Sequence, residues 1–356
     1  MPDRLEQLRA LMQKSDIGAF VITSLPHLRY LFNFSGSSGI AILTNEKSVL
    51  VTDNRYREQA KTEVKNAEIR IATRGLFIPV RDIGLIKPEM KIAFEAAHLT
   101  FERFSQLHKT FPQNTLIDTE NAIERIVMSK QPIELERTRK ACEISCRVFP
   151  EILPLIKPGV RECEIAAELS YRIRLAGADK DAFEPIVASG WRSALPHGIA
   201  SDKKLDYGEL IVIDFGCNWQ GFNSDITRTV ALGEPSIELR AMYDAVKEAN
   251  IRARNSAKPG MPAVELDTVA RQYLASIGYT AEFSHSLGHG LGIDVHSLPR
   301  IGPKSKDKIV AGSIITIEPG LYKSGIGGVR IEDDLYIGEE HNELLTPLDR
   351  ELLILE

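Results

Sequence analysis

The sequence predicts two domains of different fold class, an α/β domain followed by an α+β domain that contains an internal duplication. Short apolar strands alternate with helical stretches up to about residue 118, which is typical of an α/β domain. Beyond that point, a Lys-Pro-Gly junction between two helices occurs twice, at 157–159 and 258–260. A β-branched run that ends in a carboxylate and a glycine also occurs twice, at 211–216 and 315–320. These repeats predict a pseudo-twofold second domain.

The composition narrows the class of protein. The chain has 356 residues and a net charge of −5, which is too small to indicate a nucleic-acid surface. No apolar run approaches the roughly 18 residues of a membrane span, and the N-terminal segment resembles a charged amphipathic helix more than a signal peptide. The four cysteines form no CxxC pair and are expected to be reduced. We therefore expect a cytoplasmic protein that binds neither nucleic acid nor membrane.

The first domain follows from short patterns taken in order. Leucines at a spacing of three to four predict a helix over 4–15, and Asp53 is placed to begin a later helix. A further helix is expected over 99–110. Apolar runs predict the strands of a sheet at 19–23, 40–44, 48–52, 69–72 and 91–94. We expect this domain to span residues 1–125 and the second to span 126–356.

The second domain begins with a helical stretch that is interrupted near Gln131, and Pro132 suits the first turn of the next helix. Helices are predicted over 133–156 and 239–257, and each is followed by Lys-Pro-Gly and a second helix. Lys-Pro-Gly alone is common at helix ends. Since helices and carboxylate-bearing strands recur together, we expect a duplicated domain with a site on its pseudo-twofold axis.

Four carboxylates and a histidine are the candidate metal ligands of that site. A single acid in such a place is ordinarily a turn or strand-end residue. Four acids that converge in an apolar framework would instead repel one another or take up protons unless cations were bound. Carboxylate oxygen and imidazole nitrogen suit Mn²⁺, Co²⁺, Fe²⁺ or Zn²⁺. The five residues are Asp214, Asp225, His289, Glu318 and Glu332.

The other histidines divide into two groups. His285 and His289 are four residues apart, but the glycines around His289 favour a strand or loop over a helix. His197 lies in a predicted loop, where a histidine is ordinarily solvated, and His296 follows the glycine-rich run. Near a metal centre such side chains can donate protons or stabilise an oxyanion. No function is predicted for His27, His98, His108 and His341.

Five motifs carry a family resemblance: Ile-Asp-Phe-Gly, Asn-Ser-Asp-Ile-Thr-Arg, Gly-His-Gly-Leu-Gly, Ile-Glu-Pro-Gly and Val-Arg-Ile-Glu-Asp. Their order resembles that of the pita-bread metallopeptidases (family M24), and within them the branch of Xaa-Pro dipeptidases (prolidases) and aminopeptidases P. The resemblance covers essentially the whole chain. It implies an N-terminal α/β domain of the creatinase/prolidase kind and a pita-bread catalytic domain.

The resemblance also implies roles for individual residues. The five candidate ligands match those of a dinuclear centre, with Asp225 and Glu332 contacting both ions and Glu318 also shuttling a proton. His197 and His296 match catalytic histidines at the scissile carbonyl, and His285 and Arg330 match further active-site residues. Arg300 matches the arginine that holds the C-terminal carboxylate of a dipeptide, a task for which a guanidinium fork is suited. Ser297 stands where the family often has glutamate.

The functional prediction is a dinuclear-metal hydrolase that cleaves the bond before proline, with Xaa-Pro dipeptidase favoured because of Arg300. The alternative is an aminopeptidase P that acts on Xaa-Pro-Yaa peptides. A metal-free creatinase-like hydrolase or a non-catalytic binding protein is disfavoured, since all five ligands are retained. The resemblance implies two divalent ions per subunit, with Mn²⁺ or Co²⁺ expected before Zn²⁺ or Fe²⁺. We also expect a homodimer, because the N-terminal domain of a partner subunit would narrow the cleft and limit the length of the substrate.

Overall fold

The computed structural model describes residues 3–356, which divide into two compact units between Val127 and Met128. The helices of the first unit are α1 (Arg4–Lys14), α2 (Leu25–Phe32), α3 (Arg57–Glu63), α4 (Ile78–Asp82), α5 (Phe101–Thr110) and α6 (Ala122–Val127). Its strands are β1 (Ala19–Ile22), β2 (Ile40–Thr44), β3 (Ser48–Asp53), β4 (Glu68–Ala72), β5 (Lys91–Glu95) and β6 (Thr115–Thr119).

One mixed sheet organises the first unit, with strand order β4-β3-β2-β1-β5-β6. Buried aliphatic and aromatic side chains pack on both of its faces, as expected for an α/β unit. Asp53 begins a 3₁₀ turn and accepts a hydrogen bond from the Arg55 amide before α3 follows. Helix α2 was not predicted from the sequence, because it is short and Pro26 in its first turn also suits a loop.

The second unit contains the longer helices. They are α7 (Pro132–Ile152), α8 (Glu162–Leu175), α9 (Ile237–Ser256) and α10 (Ala263–Ser276). The strands before α9 are β7 (Lys180–Asp181), β8 (Ile186–Ser189), β9 (Glu209–Phe215), β10 (Cys217–Trp219), β11 (Phe222–Asn223) and β12 (Ile226–Leu232). Those after α10 are β13 (Gly288–Gly290), β14 (Ser297–Ile301), β15 (Ile314–Ile317), β16 (Gly320–Lys323), β17 (Gly327–Arg330), β18 (Asp333–Tyr336), β19 (Glu343–Leu344) and β20 (Ile354–Leu355).

Equivalent hydrogen bonds in the two halves confirm the predicted duplication. The amide of Gly159, in the first Lys-Pro-Gly, donates to the carbonyl of Leu205 at 2.9 Å. The amide of Gly260, in the second, donates to the carbonyl of Ile309 at 2.7 Å. Both glycines have a positive φ, 84° and 82°, which a residue with a side chain rarely adopts. The same helix–turn–helix junction therefore occurs twice in the second unit.

Two antiparallel strand pairs position the candidate acids. In the β9–β12 pair, Asp214 lies opposite Thr227, and in the β15–β18 pair, Ile317 lies opposite Asp333. A small hairpin is inserted within each pair, β10–β11 in the first and β16–β17 in the second. The apolar residues of β9 and β15 pack under the long helices, and each large aliphatic side chain so buried contributes about 1.5–3 kcal/mol.

Among residues 3–356, none of the helices is both long enough and apolar enough to span a bilayer.

Candidate metal centre

The acid-bearing ends of the two strand pairs converge on one cavity in the second unit. Asp214 lies inside β9 and Asp225 just before β12, whereas Glu318 follows β15 and Glu332 precedes β18. The cavity has a volume of about 410 Å³. All ten predicted site residues line it: Asp214, Asp225, His289, Glu318, Glu332, His197, His285, His296, Arg300 and Arg330.

The candidate ligands are close enough to share cations. His289 Nε2 lies 3.3 Å from Glu318 Oε1 and 3.7 Å from Asp225 Oδ2. Asp225, His289 and Glu332 each present one ligand atom, and these three atoms lie within 4.8 Å of one another. His289 is carried by the short strand β13, and its Nδ1 contacts the Gly290 carbonyl at 3.1 Å. That contact directs Nε2 towards the carboxylates.

Burial and mutual repulsion make this cluster costly without a cation. Burial, followed by the charges of Glu332 and Asp214, raises the pKa of Asp225 well above its ordinary value. Burial, followed by the charges of Glu318 and Asp214, does the same to the pKa of Glu332. Within residues 3–356, the buried Asp214 Oδ1 has no hydrogen-bond partner. Divalent cations would satisfy these oxygens and offset the repulsion, so the residues present fit a metal centre.

Arg330 links the first acid to the second strand pair. Its Nη2 donates to Asp214 Oδ2, its Nη1 to the Tyr322 hydroxyl at 2.8 Å, and its Nε to Thr227 Oγ1 at 3.1 Å. Thr227 Oγ1 in turn donates to Glu332 Oε2 at 2.7 Å. Sequence reasoning missed Tyr322 and Thr227. The strand pairing that places Thr227 opposite Asp214 could have indicated the threonine, but nothing in the sequence indicates the tyrosine.

The remaining histidines surround the open side of the cavity. His285 Nε2 lies 2.9 Å from the Tyr322 hydroxyl. The rings of His289 and His296 meet edge to face, with centroids 4.4 Å apart. Burial, and then the neighbouring His289, lowers the pKa of His296 below its ordinary value. His197, His296 and Arg300 are exposed to the cavity, as a substrate-contacting role requires.

Glu162 fixes the segment that carries His197, and sequence reasoning missed it. This carboxylate is fully buried at the start of α8. It accepts hydrogen bonds from the backbone and hydroxyl of Ser189 (2.8 Å each) and of Ser201 (3.1 and 2.7 Å). Arg192 Nε also donates to it at 3.0 Å. One side chain therefore joins both ends of the loop around His197.

A duplicated α+β unit with buried carboxylates and an imidazole around an accessible cavity defines a metal-dependent hydrolase. The chain belongs to metallopeptidase family M24, whose model matches residues 136–339. Residues 4–128 match the Creatinase/Prolidase N-terminal domain. The family implies divalent metal ions as cofactors, and the pita-bread fold and metallopeptidase class predicted from the sequence are confirmed.

Known relatives resemble the chain over its whole length. It is 38% identical to a Xaa-Pro dipeptidase of Pyrococcus furiosus, with 99% of this chain and all of that protein covered. The solved structure of a Xaa-Pro dipeptidase from Bacillus anthracis is 37% identical and superposes with a TM-score of 0.95 over 99% of both chains. An X-Pro aminopeptidase structure from Thermotoga maritima is 38% identical, with a TM-score of 0.89 over 99% of this chain and 100% of that one.

Proposed function

We propose that this protein is a Xaa-Pro dipeptidase (prolidase), which hydrolyses the peptide bond before a C-terminal proline. The observation that carries the proposal is that one cavity holds both the buried acid cluster and the exposed guanidinium of Arg300. A dipeptide has a carboxylate directly after its proline, and a guanidinium fork binds a carboxylate through two parallel hydrogen bonds. The Pyrococcus furiosus and Bacillus anthracis relatives support this choice of substrate.

We assign the metal centre to the five predicted ligands. Asp214, Asp225, His289, Glu318 and Glu332 would hold two divalent ions. Their oxygen and nitrogen donors suit Mn²⁺, Co²⁺, Fe²⁺ or Zn²⁺, and of these we propose Mn²⁺ or Co²⁺. When bound, such ions lower the pKa of a water molecule and polarise the scissile carbonyl.

The side chains around the centre would position the substrate and move protons. Glu318, whose side chain is 18% exposed, can accept a proton from the attacking water and deliver it to the proline nitrogen as the C–N bond breaks. His197 and His296 can donate hydrogen bonds to the carbonyl oxygen, where negative charge develops. His285 and Arg330 hold this arrangement in place through Tyr322.

The cavity also suits the proline ring. A Xaa-Pro bond is a tertiary amide without an N–H, so the site cannot rely on that donor for binding. Phe183, Ile186 and Val295 supply an apolar wall beside the polar cluster. An apolar wall with a few convergent polar groups is typical of a small-molecule site.

Aminopeptidase P activity is the alternative. The similarity to the Thermotoga maritima X-Pro aminopeptidase favours it. Arg300 is exposed and could also contact the backbone of a longer peptide.

Three further properties belong to this proposal. We propose that residues 1–125 and 126–356 act as separate domains, with the second carrying catalysis. We propose a homodimer, which light scattering of the purified protein would test. The cysteines, all unpaired, support a cytoplasmic location.

A substrate without a carboxylate tests the role of Arg300. We expect wild type to cleave a Xaa-Pro dipeptide much faster than the corresponding Xaa-Pro amide. In Arg300→Met, cleavage of the dipeptide should fall to the rate seen with the amide, whereas the exposed control Arg240→Met should behave as wild type. Equal losses on both substrates would show that Arg300 does not bind the carboxylate.

A further inference from the structure

Three side chains of the first unit form a cluster to which the sequence assigns no function. His27 lies in α2, His98 follows β5 and Glu124 lies in α6. Each offers a ligand atom, and these atoms lie within 4.8 Å of one another. His98 Nε2 is 3.0 Å from Glu124 Oε1, and the two imidazole rings are nearly perpendicular with centroids 5.2 Å apart.

A buried carboxylate stands behind His27 and orients it. Glu95, only 4% exposed, contacts Nδ1 of His27. Its other oxygen accepts the backbone N–H groups of Thr23 at 2.5 Å and Ser24 at 3.0 Å. A carboxylate that accepts the Nδ1 proton leaves Nε2 unprotonated and able to bind a metal. This carboxylate–histidine arrangement is the one that supports metal-binding histidines in proteins.

We propose that His27, His98 and Glu124 form a second divalent-cation site, of the zinc type, built from the first unit alone. Two imidazoles and one carboxylate suit Zn²⁺, which binds such ligands at about 2.0–2.1 Å. The edge of a tetrahedron with these bonds is about 3.3 Å, close to the His98–Glu124 distance.

The partial exposure of two ligands allows the site to close around an ion. The side chains of His98 and Glu124 are 35% and 20% exposed, whereas that of His27 is 2% exposed. His98 and Glu124 can therefore adjust by the remaining ångström or so towards a fixed His27, and water can occupy the fourth position.

Such a site would join three elements that are far apart in the sequence. The end of β5, helix α2 and helix α6 would be held by one ion. Its ligands also differ from the acid-rich set of the catalytic cavity, so the two sites should differ in metal preference. Zn²⁺ is expected to favour the histidine-rich site even when Mn²⁺ occupies the other.

Zinc counting on the full-length protein tests the proposal. Chelator-treated protein is equilibrated with Zn²⁺, and the number of zinc ions bound per chain is measured by elemental mass spectrometry. His98→Ala and Glu124→Gln are each expected to bind one zinc ion fewer than wild type. The control His108→Ala removes an exposed histidine of α5 in the same unit and should bind as many ions as wild type.

The comparison does not depend on how many ions the catalytic cavity holds, because only the difference between variants is used. Glu124→Gln keeps the shape of the side chain and is therefore expected to fold, so it tests the zinc site even if His98→Ala does not fold. Equal zinc contents in wild type and Glu124→Gln would overturn the proposal and leave His27–Glu95 as a structural ion pair.

Discussion

Arg330 Nη2 donates to Asp214 Oδ2 at 2.6 Å, and both side chains are buried. This bond engages one oxygen of the carboxylate, while the buried Oδ1 has no hydrogen-bond partner among residues 3–356. The guanidinium is held in turn by Thr227, Tyr322 and the Pro196 carbonyl. The orientation of a predicted metal ligand is therefore fixed by a side chain that is not itself a ligand.

We expect Arg330→Lys to reduce both metal affinity and kcat/KM by about 10–100-fold, as is usual when a group that orients a ligand is lost. A lysine retains the charge but cannot reach all four partners at once. Chelator competition and steady-state kinetics would measure the two effects, with Arg240→Lys as an exposed control. Unchanged metal affinity would show that Asp214 does not need Arg330.

Asp225→Asn should nearly abolish turnover and weaken metal binding while leaving the fold intact, because the amide has the same shape but lacks the charge. In the metal-free protein the same change should raise the melting temperature, since it removes a carboxylate that burial and the charges of Glu332 and Asp214 disfavour. Calorimetry would measure the weaker metal binding of the variant and, in the absence of metal, its higher melting temperature. Asp244→Asn, exposed on α9, is the matched control. Wild-type turnover in Asp225→Asn would refute the dinuclear assignment.

Glu162→Gln should lower the free energy of unfolding by roughly 3 kcal/mol, because it removes a buried partner of Arg192 and leaves one acceptor oxygen where two are used. The loop around His197 should loosen as well, so kcat/KM should fall. Urea unfolding and kinetics would measure both. Glu168→Gln, which breaks the more exposed pair with Arg172, should cost no more than about 1 kcal/mol. Equal stability of the two variants would contradict the role given to Glu162.

The fold class and the acid cluster could be predicted from the sequence because local patterns carry them. The paired Lys-Pro-Gly junctions place Gly159 and Gly260 at equivalent helix ends. Each acid lies at the end of an apolar run, which marks it as a strand-end residue. The register that sets Asp214 opposite Thr227 was not predicted, because β9 and β12 are buried on both faces and offer no alternation of apolar and polar residues.

Other parts of the site depend on contacts between distant segments, which no local pattern reveals. Glu162 looks like an ordinary helix-start residue, yet it holds Ser189 and Ser201. Tyr322 joins Arg330 to His285 only because β16 pairs with β17. His27 and His98 are brought together by the sheet of the first unit, and nothing in their sequence surroundings indicates it.

The most direct test of the central claim is peptide hydrolysis after chelation and after re-addition of Mn²⁺ or Co²⁺, with a Xaa-Pro dipeptide compared with a Xaa-Pro-Yaa tripeptide. We expect no cleavage after chelation, and recovery with metal that is largely confined to the dipeptide. Recovery mainly on the tripeptide would make the protein an aminopeptidase P. Two results would contradict the assignment as a metal-dependent Xaa-Pro peptidase. One is cleavage that continues after all metal has been removed, and the other is failure to cleave either peptide when metal is bound.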